Sequence, residues 1–87
     1  MAREHLQCIL EKMDKTLIQC NIFTAMLVNG NRHFLNEACR LLKRANATTC
    51  SEVVAYNKLL YWVKQTKIQA VDDYIMLNRI EYLTIQT

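Results

Sequence analysis

Two histidines, four cysteines, one adjacent acidic pair and one cluster of bases are where chemistry would first be sought in this sequence. A histidine works as a base or a ligand only with a suitable partner group in reach. His5 and His33 are far apart, on separate segments, and neither has a nucleophile at helical spacing. Cys8, Cys20, Cys39 and Cys50 include no Cys-x-x-Cys pair, and with the histidines they show no zinc-finger spacing. On one helix, Cys8 and Cys20 would stand roughly 18 Å apart, too far for a disulfide. The cysteines therefore read as small apolar residues in a reducing cytosol. Asp72 and Asp73 are neighbours, and neighbouring helical positions diverge by about 100°, so they do not converge on a metal. Arg32, Arg40, Lys43 and Arg44 could hold a phosphate or an acidic partner, and they serve equally well as a plain solvated helix face. No enzyme activity, cofactor or metal is expected.

The elements that carry these residues are organised around Gly30, the only glycine in a chain without proline. Glycine tolerates the left-handed backbone that ends a helix, so Asn29-Gly30 reads as a stop. A β-hairpin turn is the competing reading of Asn-Gly, but neither flank alternates with period two. After the stop, Phe34, Leu35, Ala38, Leu41, Leu42 and Ala45 share one half of a helical wheel. Arg32, His33, Asn36, Glu37, Arg40, Lys43 and Arg44 fill the other half. The pattern predicts a helix over Arg32–Ala45, folded back on a helical segment over residues 3–29 that is either one helix or two.

Thr49-x-x-Glu52 is a capping box and predicts the start of a third helix, which runs to Lys64 or Gln65. Its core arc holds Val53, Ala55, Tyr56, Leu59, Leu60, Trp62 and Val63. Thr66-x-x-Gln69 offers a second box and predicts a fourth helix over about Lys67–Leu83. One all-α domain follows, built from four helices in short antiparallel hairpins. In 87 residues a single core is marginal, and 52% apolar content is rich for a free-standing monomer.

The surplus apolar residues form identifiable lines. Ile18, Ile22 and Met26 recur at i, i+4 and i+8 on the first helix, opposite its main face. Val54 and Tyr61 fall outside the core arc of the third, and Met76, Ile80 and Leu83 recur at i, i+4 and i+7 on the fourth. Packing of the first helix on the third would absorb part of this surface. The remainder is expected to bind an apolar helix of another protein, with methionines suited to an adaptable groove.

Two passages carry a resemblance. Glu37-Ala38-Cys-Arg-Leu-Leu42-Lys-Arg-Ala45 resembles the second helix of a tetratricopeptide repeat, in which small residues allow close backbone approach. Tyr61-Trp-Val-Lys-Gln-Thr-Lys-Ile-Gln-Ala70 looks like that repeat's passage between helices. Thr66 stands where the repeat has glycine, the first turn is about two residues too long, and no proline closes either unit. Over roughly residues 20–83, such a short, degenerate array resembles the needle-subunit chaperones of bacterial type III secretion (the YscG/PscG/EscG class). The resemblance implies a cytoplasmic, non-catalytic, TPR-like chaperone. It would hold the aggregation-prone helix of a needle subunit in an apolar groove, beside a small helical co-chaperone.

Charge and targeting signals frame the rival readings. The net charge is +3, concentrated in residues 31–67, where seven Lys/Arg face two acids. Nucleic-acid binding generally needs a stronger basic stripe, so a small basic regulator using Arg32, Arg40, Lys43 and Arg44 is the rival reading. A helical homodimer burying its second stripes is a third. Charged and polar residues interrupt any early apolar run, so no signal peptide is expected. The uncharged stretch of residues 16–31 is too short and too polar for a bilayer. Asn46-Ala-Thr48 matches a glycosylation sequon, which has no meaning without secretion.

Overall fold

The computed structural model describes residues 15–84. The described chain is all helical: α1 (Lys15–Val28), a 3₁₀ turn (Arg32–Phe34), α2 (Leu35–Arg44), α3 (Cys50–Gln65) and α4 (Gln69–Leu77). No strand occurs among these residues. The expected helical pattern before Lys15, with His5 and Cys8, lies outside the described residues.

α1 ends at Gly30, whose φ of +80° is the left-handed conformation expected of it. Its N–H donates to the Leu27 carbonyl (3.0 Å) and the Asn31 N–H donates to that of Met26 (2.9 Å). These are the two bonds of a Schellman stop, and they satisfy carbonyls the helix itself leaves open. The Asn31 side chain then accepts the His33 N–H at 3.1 Å. The chain enters α2 through one 3₁₀ turn, rather than as a continuous helix from Arg32. Leu35, Ala38 and Leu42 are buried as the wheel predicts, and Cys39 joins them at the border of the polar half.

The first capping box forms as read. The Glu52 N–H donates to Thr49 Oγ1 (3.2 Å) while Glu52 Oε1 accepts the Thr49 N–H (2.9 Å) and the Thr48 hydroxyl (3.4 Å). Glu52 is nonetheless almost fully buried, and its Oε2 has no hydrogen-bond partner among the described residues. Its place in the first turn of α3 sets it against the positive end of the helix dipole, where a carboxylate is favoured. Val53, Ala55, Tyr56, Leu59, Leu60 and Val63 form the buried arc, with Leu59, Leu60 and Val63 entirely inaccessible. The Tyr56 hydroxyl donates to the Leu42 carbonyl at 3.2 Å and ties α3 to α2. α1 packs more extensively on α3 than on its hairpin neighbour α2, and contributes Cys20 to the core with Leu17 and Leu27 packed against it.

The second capping box does not form. The Thr66 hydroxyl donates backward to the Val63 carbonyl (2.7 Å), closing α3, and the Gln69 amide turns to Asp73 (2.9 Å). Lys67 takes φ +53° at the turn, so the left-handed position falls one residue after the one where the repeat pattern wants glycine. α4 is also shorter than predicted. Arg79 adopts φ +53°, its N–H bonds the Met76 carbonyl (3.1 Å), and the Ile80 N–H bonds that of Ile75 (3.0 Å). This second Schellman stop brings Ile80 back to the core beside Ile75, each with 6% exposure. The hydrophobic contact across the stop is the usual accompaniment of the motif. The predicted stripe Met76/Ile80/Leu83 therefore does not exist: the helix that would align it ends at Leu77.

Candidate functional site

Around the axis of α3, at about 100° per residue, Val54 and Tyr61 form a crest opposite the buried arc. Val54 is 51% and Tyr61 48% exposed. Lys58 lies on one flank of that crest, and Asn57 and Lys64 on the other. The two flanks are built differently.

The Lys58 flank borders α1. An open groove of about 320 Å³ lies between the helices, lined by Leu17, Asn21, Cys50, Ser51, Val54, Ala55 and Lys58. Ile18 and Ile22 follow Leu17 and Asn21 in sequence, one residue further round α1, with Ile18 half-buried and Ile22 47% exposed. The apolar part of the groove is therefore Leu17, Val54 and Ala55 with Cys50, while Ile18 and Ile22 lie beyond its α1 wall, outside the lining. Met26 lies further round α1, partly buried, with its sulfur 3.9 Å from the Asn31 amide nitrogen that donates to it.

The Asn57 flank carries the segment that follows α4. Asn57 Nδ2 donates to the Leu83 carbonyl (2.8 Å), and the Leu83 N–H donates to Asn57 Oδ1 (2.7 Å). One side-chain amide thereby satisfies both backbone groups of one residue. Lys64 Nζ sits 4.7 Å from the centroid of the Tyr82 ring, a distance at which a cation is attracted to the ring face. Tyr82 lies by Lys64 and Leu83 by Asn57, so the segment runs antiparallel to α3.

Of the expected residues the structure places Val54 in the groove and leaves Ile18 and Ile22 outside its lining, while Tyr61 continues the crest and Leu83 is bonded to Asn57 on its flank. It removes Ile80 to the core and leaves Met76 apart, 72% exposed beside Leu77 at the end of α4. Sequence reasoning did not single out Asn57. A polar residue one turn from two surplus apolar ones, Val54 and Tyr61, was the available signal.

The other chemical candidates are ordinary surface or core. His33 is exposed and edge-on to the Phe34 ring, with centroids 5.4 Å apart. Arg40 pairs with Glu37 at 3.1 Å on an exposed face, and such pairs contribute little. Arg32, Lys43 and Arg44 are exposed. Cys39 is buried, and burial pushes its thiol above the ordinary value, which opposes thiolate chemistry. Burial also raises the Tyr56 phenol, with the neighbouring Cys20 as a second cause. Cys20, Cys39 and Cys50 form no disulfide. Among the described residues, no group of three or more His, Cys, Asp or Glu could hold a metal ion, and no helix is long and apolar enough to cross a membrane.

No protein-family model matches this chain, and neither the curated proteins nor the solved structures give a match.

Proposed function

We propose that the chain is a non-catalytic binding protein that holds a helical segment of another protein along the groove between α1 and α3. The observation that carries this reading is the open groove, with Val54 half-exposed on the α3 wall and the partly buried Leu17 on the α1 wall. Apolar side chains left in water on both sides of a channel gain free energy when an apolar helix displaces that water. Tyr61, further along the crest, extends the same surface by two turns of α3. Ile80 is withdrawn from this surface, and Met76 is a peripheral contact at most.

The particular activity we infer is that of a type III secretion chaperone, shielding the aggregation-prone helix of a needle subunit in the cytoplasm together with a small helical co-chaperone. The resemblance of residues 37–45 and 61–70 to TPR helices supports it, as does the hairpin order α1–α2 then α3–α4. The test is capture of the tagged chain from its native cells, mass spectrometry of what is retained, and coexpression of the recovered proteins. A small helical protein that precipitates alone and becomes soluble with this chain supports the chaperone reading. Recovery of DNA or RNA, with binding that falls steeply as salt rises, would replace it with the basic-regulator reading.

A further inference from the structure

The Asn57 flank is a different surface from the groove, and it holds an extended backbone, not a helix. A primary amide bonded to the N–H and C=O of one residue is a sequence-independent grip, because every residue except proline presents both groups. Selectivity comes from the neighbours. Lys64 faces the Tyr82 ring at 4.7 Å, and the crest residues Val54 and Tyr61 lie one helical turn either side of Asn57. The grip is made in the open: Tyr82 is 47% and Leu83 37% exposed. Hydrogen bonds that water can reach exchange readily with competing donors and acceptors. By contrast Ile80, just before the segment, is fixed in the core by its bond to Ile75.

We propose that Asn57 and Lys64 form a recognition site for an extended segment of a partner protein presenting an aromatic residue followed by an aliphatic one. The chain's own Tyr82-Leu83 occupies this site as a built-in competitor. The occupant defines the chemistry: backbone of the aliphatic residue read by Asn57, and aromatic face read by Lys64. Exchange of the segment between two copies is disfavoured, because the anchor at Ile80 leaves only a few residues to reach a neighbour. The site shares the crest residues Val54 and Tyr61 with the surface beside the groove, but it is read by a different pair, Asn57 and Lys64.

The test uses the full chain carrying Leu83→Pro, which deletes the N–H that Asn57 accepts while leaving every helix intact. The probe is the synthetic peptide Glu-Tyr-Leu-Thr with blocked ends, titrated to millimolar concentration and followed by the side-chain amide signals of Asn57 in nitrogen–proton correlation spectra. The peptide should shift those signals saturably in Leu83→Pro, with affinity about tenfold better than for the parent chain, as expected when a competing hydrogen bond is removed. Asn57→Ala combined with Leu83→Pro should abolish binding, as judged from the backbone signals of Val54 and Tyr61. Unchanged melting temperatures of both variants certify the fold. Equal affinity for parent and Leu83→Pro, no shift in either, or a parent grip that depends on protein concentration would each overturn the proposal.

Discussion

Ile80→Ala separates the two roles that the fourth helix was expected to combine. In a helix reaching residue 83, Ile80 would share an exposed stripe with Met76, and its truncation would weaken binding and not folding. In the observed structure Ile80 is 6% exposed and belongs to the core with Ile75. The change removes three carbons, worth about 0.8 kcal/mol each on burial, so the transfer loss alone is about 2.5 kcal/mol. Partial collapse of the cavity keeps the total near 2–4 kcal/mol. A domain of this size has a urea slope of about 1 kcal/mol per molar, so the denaturation midpoint should fall by about 2 M or more. Met76→Ala, at a position 72% exposed, should stay within about 0.5 kcal/mol of the parent. Urea melts followed by circular dichroism read both. Equal midpoints for the two variants would refute the second Schellman stop and restore the long helix.

The other expectations concern the turns, the cap and pH. Gly30→Val should cost about 1 kcal/mol or more, because an added Cβ meets nothing within 4 Å and only the left-handed backbone resists it; an unchanged urea midpoint would contradict this. Arg79→Gly, at the same conformation with the wrong residue, should be neutral or stabilising by up to about 1 kcal/mol in the same assay. Thr49→Ala removes one bond of the capping box and should cost about 1 kcal/mol, measured as a drop in melting temperature. Cys39 and Tyr56 hold their protons more tightly folded than unfolded. Their contribution is therefore complete below the ordinary values of 9.0 and 10.0 and lost as pH rises past them. Melting temperature should fall above about pH 9, and less so in Cys39→Ala.

Helix starts and stops were legible where one residue type has one physical reason to be there. Gly30 and the Thr49–Glu52 pair are such places, and both perform as read. Thr66 was ambiguous, because the same hydroxyl that can cap the next helix can also bond the carbonyl three residues back, and it does the latter. The end of α4 was hidden for a related reason. Arg79 is not a residue that announces a left-handed backbone, and Met76, Ile80 and Leu83 kept helical spacing past the true end. The available signal was the apolar pair Ile75 and Ile80, five apart across the polar Asn78-Arg79, which is the spacing of a Schellman contact. The candidate site was half legible. Val54, Tyr61, Ile18 and Ile22 were singled out because apolar residues off the core face stand out in a periodic pattern, and of these only Val54 lines the groove. Asn57 was not, and Leu83 was named only as part of a helical stripe, since the two are 26 residues apart and their bond involves backbone that carries no sequence signature.

The central claim is that the groove between α1 and α3 holds a helical partner, and the double change Asn21→Asp with Val54→Asp tests it most directly. Both residues line the groove and are exposed, so charge at either leaves the core intact and puts an unpaired carboxylate in the path of an apolar helix. The measurement is the amount of helical partner retained by the tagged variant relative to the parent, with melting temperature recorded on the same preparations. The account predicts that retention falls about tenfold or more while the melting temperature stays within a few degrees of the parent. Equal retention by a folded double variant would contradict it.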